Sequence, residues 1–159
     1  MLVIKRIDNA NEECARVIRD SFITVANEFG LTKENAPTNA AFIELDSLIG
    51  LQQKGARMYG GFCDGRLVGF VAVRKAKDDL YYMEKLAVLP GFRHRGYGRQ
   101  LVDFAVKAVR EAGGRRISIG IINENTVLKE WYRSMGFVET EIRRFPHLPF
   151  TVCCMELLV

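Results

Sequence analysis

The feature that most constrains the fold is a strand-like apolar stretch that leads through a glycine-containing turn into an amphipathic helix. Residues 80–89 are mainly apolar and are closed by Pro90 and Gly91, which indicates a buried strand. Apolar residues recur at helical spacing over residues 97–112. The two segments are joined by the basic sequence RHRGYGR of residues 93–99. A buried strand followed by such a helix indicates a sheet with helices packed against it.

The same two periodicities assign the remaining elements, in the order β-α-α-β-β-β-α-β-α-β-β. Further strands are predicted over residues 2–7, 58–63, 66–75, 115–122, 137–143 and 150–158, with a two-residue hairpin turn at Asp64-Gly65. Further helices are predicted over residues 14–29, 42–55 and 126–135. This order predicts an α+β fold with a mixed, mostly antiparallel sheet of about six to seven strands and helices on both faces.

The composition places the chain among ordinary globular domains. Its 159 residues fit one domain, 48% of them are apolar, and no internal repeat or linker divides them. The net charge of +4 is too small to indicate a nucleic-acid or membrane surface, yet it suits an anionic ligand. No apolar run approaches the ~20 residues of a membrane span, and none is typical of a secretory signal. We therefore expect a single cytoplasmic domain over residues 1–159.

Neither the cysteines nor the histidines form a pattern typical of a metal site. The four cysteines (Cys14, Cys63, Cys153 and Cys154) lack C-x-x-C spacing, which favours reduced thiols that act as small apolar residues. The only histidines are His94 and His147, and neither has a convincing set of carboxylate neighbours. We expect no metal cofactor.

The turn at residues 93–99 has the properties of an anion-binding site. Gly96 and Gly98 allow a tight bend and a close approach of the backbone to a ligand. The helix that follows presents N–H groups without intrahelical partners, and its dipole favours negative charge. Arg95 and Arg99 add positive charge. A nucleotide P-loop is excluded because G-x-x-x-x-G-K-[ST] is absent, and a dinucleotide fingerprint lacks its third glycine. A plain structural turn remains the alternative.

Two motifs together resemble the GNAT superfamily of N-acetyltransferases. The first is a hydrophobic strand followed by [QR]-x-x-G-x-[GA] and a helix, which Arg93, Gly96 and Gly98 match within YYMEKLAVLPGFRHRGYGRQLVDFA. The second is an asparagine seven positions before a tyrosine and a following G-F, supplied in NTVLKEWYRSMGF by Asn125, Tyr132, Gly136 and Phe137. Leu128 and Trp131 depart from the alanine and leucine that members often carry there. The order of elements resembles the family over nearly the whole chain.

The resemblance implies acetyl-CoA as cosubstrate, bound in a cleft where two parallel strands splay apart. The backbone of Leu86, Ala87 and Val88 would bind the pantetheine arm, and an N–H near Val88 would polarise the thioester carbonyl. The turn that binds the pyrophosphate comprises Arg93, His94, Arg95, Gly96, Tyr97, Gly98 and Arg99. Asn125 would contact the cofactor, cap its helix, or do both.

Two residues are candidates for proton transfer. Tyr132 is the candidate general acid that protonates the departing CoA thiolate, and the alternative for it is an ordinary aromatic core residue. Glu84, on the strand that leads to the cleft, is the candidate base for a protonated amine, and an outward-facing surface glutamate is an equal alternative. Residues 35–39 and the loop over residues 145–150, which contains His147, would border the acceptor.

The resulting hypothesis is direct acetyl transfer from acetyl-CoA to a primary amine in a ternary complex. Its first rival is a non-catalytic acyl-CoA-binding sensor, against which the presence of Tyr132 counts. Its second rival is a nucleic-acid-binding domain built on the arginines, and no recognised nucleic-acid motif supports it. Partners other than acetyl-CoA and an amine are not indicated, and the resemblance suggests a homodimer. The identity of the amine stays open because fold does not determine substrate.

Overall fold

Seven strands form one mixed sheet in the computed structural model, which describes residues 1–159. The strands are β1 (Val3–Ile7), β2 (Arg57–Cys63), β3 (Arg66–Lys77), β4 (Leu80–Val88), β5 (Arg116–Ile122), β6 (Val138–Arg144) and β7 (Thr151–Leu158). Their spatial order is β1-β2-β3-β4-β5-β7-β6, and every neighbouring pair is antiparallel except β4–β5. The predicted fold class and element order are confirmed.

Four α-helices cover the two faces of this sheet. They are α1 (Glu12–Glu28), α2 (Leu45–Gln53), α3 (Tyr97–Glu111) and α4 (Thr126–Arg133), with short 3₁₀ turns at Ala40–Phe42 and Pro90–Phe92. Phe70 and Ala72 of β3 pack in one core cluster with α1 and α2, whereas Val71 and Val73 pack in another with α3 and Tyr132. Since successive strand residues face opposite sides, β3 is apolar on both faces. None of the helices has the length and apolar character needed to cross a bilayer.

The boundaries of the first two helices differ from the predicted ones. The α1 helix begins after Asn11, whose side-chain oxygen accepts a hydrogen bond from the Cys14 N–H at 3.0 Å. Phe42 belongs to a separate 3₁₀ turn, and α2 begins three residues later at Leu45. The turn is capped by Asn39, whose side chain accepts from the Ala41 N–H at 2.9 Å. Ile43 and Glu44 have extended backbone (ψ 138° and 160°), and they divide what the apolar spacing alone presents as one helix.

The parallel pair β4–β5 is joined at one end only. Its register comprises Leu80↔Arg116, Tyr81↔Ile117 and Tyr82↔Ser118, and it stops there. Beyond these pairs β4 continues to Val88 against β3, and β5 continues to Ile122 against β7. The strands therefore separate toward their carboxyl ends and leave a gap in the middle of the sheet, as the resemblance implied.

Candidate active site

The gap between β4 and β5 exposes backbone groups of β4. The Leu89 N–H donates to the Val68 carbonyl at 2.9 Å, so this residue faces β3. Because hydrogen-bonding groups of an antiparallel pair alternate along the strand, the N–H and C=O of Val88 face the gap instead. Arg93 confirms this orientation, since its Nε donates to the Val88 carbonyl at 3.2 Å. The Val88 N–H is thus left without a strand partner at the open end of the cleft.

The amino end of α3 lies at the same end of the sheet. Gly96 is its N-cap with φ 79° and ψ 8°, a left-handed conformation that favours glycine, and no side chain caps the helix. The N–H groups of the first helical turn are therefore free for a ligand. Gly96 is exposed, and a Cβ at this position would meet nothing within 4 Å. The turn therefore has the bare helix end that the sequence predicts, and its binding of an anion stays a prediction.

Gly98 brings α3 into close contact with α4. A Cβ at Gly98 would lie 3.2 and 3.3 Å from the Trp131 ring and 3.9 Å from Cγ2 of Val88. The indole therefore packs directly over the glycine, where a larger residue would push it aside. The turn, the exposed end of β4 and α4 meet at this point.

The Arg93 side chain is committed to the protein itself. Besides Val88, it donates from Nη2 to the Ser21 carbonyl at 2.6 Å and from Nη1 to Thr24 Oγ1 at 3.0 Å. Burial lowers the pKa of this guanidinium below its usual value. Three hydrogen bonds thus tie α1 to the end of β4. Arg93 therefore positions the cleft wall, and this structural contact is one reason for an arginine at this place in the motif.

The other residues of the turn divide into exposed and inward-facing side chains. His94, Arg95 and Arg99 are exposed, and the Arg95 guanidinium lies 5.0 Å from the Phe92 ring centroid. The Tyr97 ring is buried, and Cys63 Sγ lies 3.2 Å from its hydroxyl. Only the backbone of Tyr97 is therefore available to a ligand, whereas the exposed guanidinium groups of Arg95 and Arg99 can contact one directly.

Tyr132 is buried in the core cluster between its aromatic neighbours. Its ring centroid lies 5.0 Å from that of Trp131 and 5.2 Å from that of Phe137, both in edge-on geometry. Every fully buried side-chain oxygen and nitrogen has a hydrogen-bond partner. The Tyr132 hydroxyl has no such partner within the protein, so its oxygen is not fully buried, although the ring is. Burial raises the pKa of Tyr132 well above its usual value, so the phenol is neutral at any physiological pH.

Asn125 caps α4, which is one of the two roles predicted for it. Its side-chain oxygen accepts a hydrogen bond from the Leu128 N–H at 3.2 Å. The preceding Glu124 holds the same loop against β7, because its carboxylate accepts hydrogen bonds from the N–H (3.1 Å) and the hydroxyl (2.7 Å) of Thr151. The Thr151 hydroxyl bond is the main reason that the pKa of Glu124 is lowered. The loop that carries α4 is thus anchored on both sides.

Glu84 lies on the α1/α2 face of the sheet. It is opposite Ala72, which packs in the α1/α2 cluster. Its two carboxylate oxygens each contact the Arg74 guanidinium at 3.4 Å, and both side chains are about one quarter exposed (27% and 26%). The ion pair holds Glu84 in place on the face opposite α3 and α4.

A cavity of about 460 Å³ opens on that same face. Its wall includes Pro37, Thr38 and Asn39, which fall within the segment 35–39 predicted as an acceptor border. Its floor at the sheet is Lys85, which sequence reasoning did not single out. The other expected border, residues 145–150, does not line this cavity. There Phe150 packs against a small cluster under α1, and His147 is exposed beside Phe145 at 5.8 Å between ring centroids.

Comparison with known proteins identifies the class. The family model described as "Acetyltransferase (GNAT) family" matches residues 22–137. An uncharacterized N-acetyltransferase of Lactobacillus delbrueckii subsp. lactis is 27% identical over 149 residues, covering 86% of this chain and 85% of that protein. A streptothricin acetyltransferase of Streptomyces lavendulae is 37% identical over 75 residues, but this match covers only 46% of this chain and 40% of that enzyme.

The fold agrees with solved structures of the same kind. The PaiA N-acetyltransferase of Thermoplasma acidophilum, solved in complex with coenzyme A, superimposes with a TM-score of 0.77 at 18% identity, covering 100% of this chain and 99% of that one. This chain therefore shares the fold of that N-acetyltransferase. This chain belongs to the GNAT family of acetyltransferases.

Proposed function

We propose that this enzyme transfers the acetyl group of acetyl-CoA to a primary amine by direct attack within a ternary complex. One observation carries the proposal: the unpaired N–H of Val88, the uncapped amino end of α3 and the α4 helix of Tyr132 meet at the open end of one cleft. A single ligand accounts for the uncapped helix and the unpaired Val88 N–H if its diphosphate lies at the helix end and its extended arm lies along β4. The ligand in this proposal is acetyl-CoA, and the coenzyme A bound in a solved protein of the same fold supports it.

The cofactor contacts follow from which groups remain free. The N–H groups at Gly96, Tyr97 and Gly98 bind the pyrophosphate, and the exposed Arg95, Arg99 and His94 surround it with positive charge. The pantetheine arm lies against Leu86, Ala87 and Val88. The Asn125 amide nitrogen is free to bind the cofactor, since only its oxygen is used in the cap.

The Val88 N–H stabilises the oxyanion that forms when the amine attacks the thioester. A preorganised donor of this kind contributes about 3–4 kcal/mol to the barrier reduction. It acts without reorganisation because β3 already holds the strand in place. The bond from the carbonyl carbon to sulfur then breaks, and the thiolate leaves toward α4.

Tyr132 donates the proton to this thiolate, and the phenolate regains a proton from the amide nitrogen, which loses its second proton as the bond to sulfur breaks. Burial makes it a weaker acid than a free tyrosine, which by itself opposes donation to a thiol of lower pKa. The thiolate, however, leaves inside the same desolvated cleft, where its own pKa rises for the same reason. The two pKa values therefore approach each other, and the neutral phenol is always available as the donor.

Glu84 acts as the base that removes a proton from the incoming ammonium, directly or through a water molecule. It stands on the face that carries the cavity, so the amine approaches from the side opposite to Tyr132. Because the base and the acid lie on separate faces, the proton taken from the ammonium can pass to the solvent, while a different proton, from Tyr132, reaches the thiolate.

The test is a thiol-release assay with acetyl-CoA against a panel of primary amines, combined with calorimetric titration of CoA. We expect CoA to bind and at least one amine to accelerate thiol release, with an N-acetyl product confirmed by mass spectrometry. Binding of CoA without transfer to any amine would favour the sensor hypothesis. Absence of heat at millimolar CoA would overturn the assignment of the turn at residues 93–98.

A further inference from the structure

Lys85 occupies a bulge in β4 that turns its side chain to the other face of the sheet. The register of β3 against β4 runs from Phe70↔Ala87 to Ala72↔Glu84, so two residues of β4, Lys85 and Leu86, oppose Val71 alone. Lys85 has φ 57°, a left-handed conformation that is uncommon for a residue with a side chain. Strict alternation after Glu84 would direct Lys85 toward α3. The bulge directs it instead into the cavity between the sheet and α2.

The Lys85 ammonium has no counter-ion within the protein. None of the nine ion pairs includes it, and the neighbouring Glu84 carboxylate is held by Arg74. Desolvation lowers the pKa of Lys85 below its usual value, and the charge of Glu84 offsets this only in part. Buried charges in proteins are normally paired. An unpaired, partly buried cation at the floor of a cavity therefore favours an anion as its occupant.

The rest of the cavity wall agrees with a small ligand of single negative charge. Two ammonium groups, Lys33 and Lys85, and one carboxylate, Glu44, line it, so its net charge is positive but small. Thr38 and Ser47 add hydroxyl groups, whereas Phe42 and Leu51 add apolar surface. A volume of about 460 Å³ suits an amino acid or a short peptide end rather than a large polycation.

We propose that the acceptor is an amine that also carries a carboxylate, and that this carboxylate pairs with the Lys85 ammonium. The inference rests on the proposed function, because it names the substrate class of that reaction. Lys85 lies three positions before Val88 along β4, a rise of about 10 Å, so the lysine side chain and the acceptor together span that distance to the thioester. The bulge has a use in this arrangement: it turns the selecting charge into the cavity from which the amine approaches.

The test compares matched acceptors in matched variants. The acceptors are α-, β- and γ-amino acids, each paired with its own carboxamide, so that the carboxylate is the one group replaced. The variants are Lys85→Gln, Lys85→Arg and the control Lys75→Gln, whose side chain is exposed on β3 outside the cavity. The quantity measured is the ratio of kcat/KM for acid over amide, in which the intrinsic reactivity of each amine cancels between variants.

We expect Lys85→Gln to lower this ratio about tenfold or more, since charge-assisted hydrogen bonds typically contribute that much. Lys85→Arg retains most of the preference, and Lys75→Gln leaves it unchanged. All three keep the wild-type melting temperature within about 2 °C, because glutamine and arginine accept the left-handed conformation no worse than lysine. An acid-to-amide ratio that is the same in Lys85→Gln as in wild type would overturn the proposal.

A binding experiment separates this inference from the proposed function. The CoA complex is titrated calorimetrically with the N-acetyl derivatives of the same acids and amides, which need no catalysis to bind. Tighter binding of the acids that is lost in Lys85→Gln supports the carboxylate site even if no amine is acetylated. Equal affinity for acids and amides in wild type contradicts it even if acetyl transfer is observed.

Discussion

At the scale of single residues, burial decides which chemistry each side chain of the cleft can perform. Tyr132 is 5% exposed, and burial raises its pKa, so the phenol keeps its proton over the whole physiological pH range. Arg93 is equally tied to its surroundings, but its three hydrogen bonds to protein groups remove it from direct chemistry. Two motif residues thus have different tasks: Tyr132 is the proposed proton donor, and Arg93 positions the cleft wall.

Replacing Tyr132 by phenylalanine removes the donor and keeps the aromatic packing against Trp131 and Phe137. We expect kcat to fall by about 100-fold or more, the usual contribution of general acid catalysis, while the Kd for CoA changes less than about threefold. Initial rates of thiol release and calorimetry measure the two quantities. Tyr59→Phe is the control, because Tyr59 packs against Phe104 away from the cleft. Unchanged turnover in Tyr132→Phe would show that the proton comes from elsewhere.

At the scale of elements, the turn before α3 combines two different uses of glycine. Gly96 supplies the left-handed N-cap, and Gly98 supplies the space that Trp131 fills. The departure from the family pattern at Trp131 therefore has a structural counterpart, since the large indole closes over a residue that has no side chain. The contact joins α3 and α4 beside Val88, at the mouth of the cleft.

Gly98→Val tests this contact. The new side chain collides with the Trp131 ring and occupies the approach to the N–H groups of α3, so we expect the Kd for CoA to rise by about 100-fold or more. Gly91→Val is the matched control, because a Cβ at Gly91 would meet nothing within 4 Å. Calorimetric titration of both variants with CoA measures the difference. Comparable affinity in the two variants would place the pyrophosphate elsewhere.

At the scale of the whole molecule, the sheet consists of two parts that meet at β4 and β5. Only three residue pairs join these strands directly. Below the gap, one core cluster continues across both parts, with Met83 and Val71 on one side and Ile117 and Met155 on the other. Continuity of this core keeps the cleft open at a defined width without hydrogen bonds across it.

A ligand that fills the gap should therefore stabilise the whole fold. At a CoA concentration 100 times its Kd, linkage predicts about 2.7 kcal/mol of added stability, which corresponds to a rise in Tm of about 5–10 °C for a chain of this size. Thermal unfolding with and without CoA measures it. Pantetheine, which lacks the diphosphate, serves as the control and should give a much smaller shift at the same concentration. No change in Tm at millimolar CoA would contradict the proposed site.

The sequence alone determined the class of fold, the order of elements and the position of the glycine turn before α3. Each of these depends on local periodicity or on a few adjacent residues: the hairpin at Asp64-Gly65, the helix after Gly96, the cap at Asn125. Such features follow from the backbone geometry of a short segment, so the sequence of that segment is enough to predict them.

Only the tertiary structure decided what the side chains of the site contact. Three contacts show this: Glu84 pairs with Arg74, Arg93 binds Ser21 of α1, and Trp131 packs over Gly98. The residues they join are between 10 and 72 positions apart. The direction of Lys85 depends on a bulge, and a one-residue shift in pairing reverses the face of every side chain that follows it. Register and packing are properties of the assembled sheet, and no local pattern in the chain specifies them.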